Sequence, residues 1–210
     1  MGSTTLLDII GSTMTFGLLL LATLRLNASA SENNYSYNQN YLLQRNMIVL
    51  TVMLEDDLKH VGAGIYYDYG GVQYADTNDL KFRTVLTPGS ASSTVEWKLE
   101  TTAPPNTPNT KIRYLSRTVN GVTNKMNLGV TQFDIRYLSV IDPNDTLATP
   151  MVATTLPNPC GNIGPVSVSI RLESPYKMKL EYTNDTTSRY DMVWRQIRSI
   201  SRNNTIQFPQ

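Results

Sequence analysis

The sequence predicts an α+β protein: a long N-terminal α-helix, apolar in its front half and amphipathic in its back half, packed on a mainly antiparallel β-sheet head. Three observations carry this reading. An apolar run from Thr5 to Leu24 is interrupted by one acidic residue, Asp8. A stripe of apolar residues at helical spacing follows between Tyr41 and Val61. Beyond Gly64 the chain alternates short β-like runs with Pro, Gly and Asn-rich turns. Residues 1–26 form an apolar membrane or assembly helix, 27–64 its polar and then amphipathic continuation, and 65–210 a β-rich globular head.

Composition agrees with that division. One helix and one modest domain are the natural content of 210 residues. A net charge of +1 with 17% charged residues supplies no long-range attraction to nucleic acid. Cys160 is the single cysteine, so no internal disulfide forms. Flanked by Pro159 and Gly161, it reads as a loop thiol. His60, the single histidine, lies far away in the helical pattern.

About 20 apolar residues cross a bilayer core as a helix. A carboxylate in such a segment is costly and has a partner or a purpose. A cleaved secretory signal is the alternative: Ala28-Ser29-Ala30 offers small residues for cleavage, although no cation precedes Arg25. Residues 27–40 (NASASENNYSYNQN) have poor helix propensity and read either as a linker or as the weak middle of one long helix.

From Tyr41 the pattern is clear. Leu43, Met47, Leu50, Leu54, Leu58 and Val61 recur at steps of three and four, while Gln44, Arg45, Thr51, Glu55, Lys59 and His60 lie largely off that stripe. Packing of the stripe on the sheet is the expected role. Gly62 and Gly64 end the helix. A helix unbroken from Thr4 to Val61 is roughly 85 Å long, more than the remaining residues can cover.

In the head, about seven runs read as strands. They are Ile65–Tyr69, Asp79–Leu86, Thr94–Glu100, a run in which Ile112, Tyr114 and Ser116 alternate, Phe133–Tyr137, Val166–Leu172 and Tyr190–Ile200. Val95, Trp97 and Leu99 share one face, as do Phe133, Ile135 and Tyr137, and Val166, Val168 and Ile170. Asn120-Gly121 is a hairpin signal because both residues tolerate positive φ. Antiparallel pairing follows.

Weaker features have two readings each. Asp76, Asn78 and Asp79, and Asp142, Asn144 and Asp145, either offer oxygens to Ca²⁺ or cap Asx turns. Tyr66, Tyr67, Tyr69 and Tyr74 form either a contact surface or a tyrosine-rich sheet face. Five Asn-X-Ser/Thr triplets, at Asn27, Asn34, Asn144, Asn184 and Asn203, match the glycosylation sequon, and an Asn- and Thr-rich chain produces such triplets by chance. There is no phosphate loop, metal-ligand cluster or nucleophile with a nearby His, so no enzyme, cofactor or metal is expected.

Several phrases together resemble the type IV pilin-like family, nearest to minor pilins and J-type pseudopilins. They are Thr4-Thr5-Leu6-Leu7-Asp8-Ile9-Ile10, Leu54-Glu55-Asp56-Asp57-Leu58 through Gly64, Tyr74 through Leu80, Leu128 through Leu138, and Trp194-Arg195-Gln196-Ile197-Arg198. The resemblance implies assembly through Asp8 and its neighbours Leu6, Leu7, Ile9, Ile10 and Phe16. It also implies other pilin-like subunits as partners, in a homo- or hetero-oligomer, and no nucleic acid. The chain would sit in the inner membrane before assembly, then in an extracellular or periplasmic filament. Asp8 stands where the family prefers Glu, and Met1-Gly2-Ser3 lacks the family's basic leader. In the pilin-like reading Asp8 meets a neighbouring subunit's N-terminus; otherwise it sits in the first helical turn at the headgroups, favoured by the macrodipole.

Overall fold

The computed structural model describes residues 2–63, 71–85, 91–142, 144–152, 160, 163–178 and 189–200. As expected, the fold is α+β: one long N-terminal helix and an antiparallel sheet. Helix α1 runs Gly2–Lys59. The stretch 27–40 is helical, not a linker. It contains neither Gly nor Pro, and extending an existing helix costs far less than nucleating one. Two compact units divide the chain, residues 1–41 and 42–210.

The helix ends two residues earlier than the stripe suggests. His60 and Val61 donate to the carbonyls three residues back, at Asp57 and Leu58, so the last turn tightens. Gly62 then takes φ 72° and donates to Arg83 O at 2.9 Å. A Cβ on Gly71 would lie 2.5 Å from the Gly62 backbone, so this approach requires glycine. Gly64, the second expected terminator, lies outside the described residues, as does Ile65–Tyr69.

Among the described residues eight strands follow: β1 Val72–Ala75, β2 Asp79–Thr84, β3 Ser93–Leu99, β4 Arg113–Val119, β5 Val122–Ser139, β6 Met151–Val152, β7 Ile163–Met178 and β8 Arg189–Ile200. Their order across the sheet is β6-β1-β2-β3-β4-β5-β7-β8, and each neighbouring pair is antiparallel. The sequence reading lacked β1 and β6, which are too short to show alternation. The β4–β5 hairpin closes at Asn120-Gly121, with φ of 51° and 85° and Val119 opposite Val122.

The alternation that begins at Ile112, Tyr114 and Ser116 falls on β4, where Leu115, Arg117 and Val119 share the inward face opposite Leu99, Trp97 and Val95. An irregular register between Arg113 and Leu115 breaks the alternation, so Ile112 is buried as well.

Within residues 42–210, the helix stripe and the inward sheet face form one core. Leu43, Met47, Leu50, Leu54, Leu58 and Val61 are buried in the same cluster as Phe82, Trp97, Phe133, Val168 and Ile170. Burying each large aliphatic side chain contributes about 1.5–3 kcal/mol. Thr51, read as off the stripe, is buried too.

Candidate functional site

The apolar front of α1 is the first candidate. Leu6, Leu7, Ile9, Ile10 and Phe16 are all exposed, Leu7 at 72%, and Asp8 is exposed beside them. The helix is long and apolar enough to cross a membrane. Its hydroxyls do not break that character. Ser12 donates to Ile9 O, Thr15 to Gly11 O at 2.7 Å and Thr23 to Leu20 O at 2.8 Å. Each of these hydroxyls is satisfied on its own helix, as a hydrocarbon or helix-packed setting requires.

The back of the helix carries more exposed apolar surface than its sequence pattern suggested. Leu42, Ile48, Val49 and Val52 are exposed, off the buried stripe. Helical spacing alone assigns one face to the core and leaves the other unread.

A polar node ties the helix end to the sheet. Asp57 is buried and accepts bonds from Trp97 Nε1 at 2.6 Å, Arg117 Nε at 2.7 Å and Arg117 Nη2 at 2.8 Å. The guanidinium carbon lies 6.0 Å from the Trp97 ring centroid. Hydrogen bonding to Asp57 raises the Arg117 pKa further above its ordinary value. Sequence reasoning missed this node. Its signal was Asp57 itself, three residues after Leu54 and seven after Leu50, and so on the buried face.

Further polar groups fix loops to the sheet. Buried Glu173 pairs with Arg171 at 2.8 Å and accepts from Asn109 Nδ2 at 3.0 Å. Tyr137 OH donates to Asp76 O at 2.9 Å, and burial pushes its phenol well above the ordinary range. Lys98 pairs with Asp79 at 3.0 Å, and that hydrogen bond raises the lysine pKa.

Asp142 Oδ1 accepts from Asn144 N at 2.9 Å, an Asx turn, and Asp76 Oδ1 accepts from Thr77 N at 2.7 Å. No group of three His, Cys, Asp or Glu suited to a metal occurs among the described residues. Cys160 lies outside the strands, as a loop thiol would, yet it is buried in the core, and burial pushes its pKa up to about 11. Tyr74 is half-buried, and Tyr66, Tyr67 and Tyr69 lie outside the described residues. Of the sequon asparagines, Asn27 and Asn34 are helical, and Asn184 and Asn203 lie outside the described residues.

The architecture, a long N-terminal helix and an antiparallel sheet, is compatible with pilin-like proteins. Comparison with protein-family models, with curated proteins and with solved structures finds no match to the chain.

Proposed function

We propose that this chain is a non-enzymatic structural subunit of a type IV pilus-like or type II secretion pseudopilus-like filament. One observation carries the reading: the large apolar side chains of residues 6–26 are exposed along the front of the helix. Such a surface is stable in lipid or against other helices, and not in water. The helix is held in the inner membrane before assembly and packs among like helices afterwards, with Asp8 opposite a neighbouring amino terminus. Exposed Leu42, Ile48, Val49 and Val52 support helix packing beyond the apolar run.

A second reading is a membrane-anchored β domain that binds a protein or glycan without forming filaments. Exposed Trp194 on β8 favours a binding role for the head. Membrane fractionation and electron microscopy of the full-length chain distinguish the two. Filaments containing the chain support the first reading; membrane-bound particles without filaments, in cells that make its assembly machinery, overturn it.

A further inference from the structure

The sheet face turned away from the core combines an exposed indole with two arginines. Trp194 is 59% exposed, whereas Trp97 on the inward face is fully buried. Along β8, Gln196 and Arg198 follow Trp194 on the same outward side. Arg198 lies opposite Ser167, and Ser167 lies opposite Arg136 on β5. Two strand spacings separate the arginines, roughly 9–10 Å between their backbones. Both are exposed, and neither forms an ion pair among the described residues.

We propose that this outward face of β5, β7 and β8 binds an acidic polysaccharide. The Trp194 ring offers a flat apolar surface to the C–H face of a pyranose. Arg136 and Arg198 offer planar donor pairs that match carboxylates. Gln196 Nε2 donates to Ser167 Oγ at 2.9 Å, leaving the amide oxygen as an acceptor for sugar hydroxyls. Exposed Asp134, which accepts a bond from Gln132, adds a carboxylate beside this row. Arg136 also lines an open cleft of about 380 Å³ whose walls carry Thr77, Thr146 and Thr149.

Single-stranded nucleic acid also stacks on aromatic rings and pairs with arginine. The single indole named on this row seats one sugar ring, whereas a strand of bases binds by stacking on successive aromatic rings. The inference stands apart from the filament reading, since it concerns the head alone.

The test is calorimetric titration of the full-length chain in detergent with polygalacturonate, dextran and single-stranded DNA. Saturable binding of polygalacturonate, with dextran and DNA at least about tenfold weaker, is expected. Trp194→Ala and the double change Arg136→Gln with Arg198→Gln should each weaken binding by about tenfold or more, while Trp194→Phe retains most of it. All are exposed positions, so unchanged unfolding midpoints accompany these losses. Absence of saturable polygalacturonate binding, tighter binding of DNA, or binding unmoved by the arginine changes overturns the proposal.

Discussion

The Arg117 guanidinium meets the Asp57 carboxylate side-on, Nε at 2.7 Å from one oxygen and Nη2 at 2.8 Å from the other. This joins the last turn of the helix to the middle of the sheet. We predict that Asp57→Ala destabilises the head by about 3 kcal/mol, because it strands a partly buried guanidinium and an indole N–H. The double change Asp57→Leu with Arg117→Met should recover only the part of that loss due to the guanidinium, because it leaves the buried Trp97 indole N–H unpaired. Chemical denaturation of the parent, both single variants and the double variant in detergent measures the coupling; strict additivity would show that the two residues act independently.

The inward stripe gives a second prediction. Leu54 is fully buried, so Leu54→Ala should cost roughly 2–5 kcal/mol. Glu55 is partly exposed and reaches Arg195 at 3.9 Å, so Glu55→Ala should cost under about 0.5 kcal/mol. Equal losses in a denaturant titration would refute the assigned face.

Asp8 tests the assembly reading. Asp8→Asn removes a charge from an apolar segment, so membrane insertion should be normal or easier. Filament incorporation should fall sharply, because the neighbouring amine loses its partner. Asp8→Glu should assemble at least as well as the parent. Membrane-bound and filament-bound fractions, compared side by side, decide the matter: normal assembly of Asp8→Asn leaves the headgroup role.

Cys160 supplies a pH prediction. Its folded pKa is raised from 9.0 to about 11 by burial. The unfolded thiol therefore ionises first as pH rises. The stability this contributes is complete below pH 9 and is lost as pH climbs through 11, an effect of roughly 1–3 kcal/mol. Unfolding free energy measured from pH 8 to pH 11 should decline less steeply in Cys160→Ala than in the parent. Identical slopes would contradict the assignment.

The fold class is legible in the sequence because two periods are written plainly. Steps of three and four from Leu43 to Val61 mark a buried helix face, and alternation in Val95, Trp97 and Leu99 marks a strand. The phase of β4 is not legible, because the irregularity between Arg113 and Leu115 is set by its neighbours. The Asp57 node is half legible. An acidic residue on a buried face announces a partner, but local spacing cannot name Trp97 and Arg117, which lie 40 and 60 residues away. The front of the helix is legible as apolar surface, and its side chains are exposed.

The 60 residues between Asp57 and Arg117 also separate them in time. At about 5–20 residues per second, a ribosome releases Arg117 roughly 3–12 seconds after Asp57. During that interval the helix end has its carboxylate but not the cation that will hold it. The nascent head gains its docking point for the helix when β4 emerges, before β7 and β8 have been synthesised.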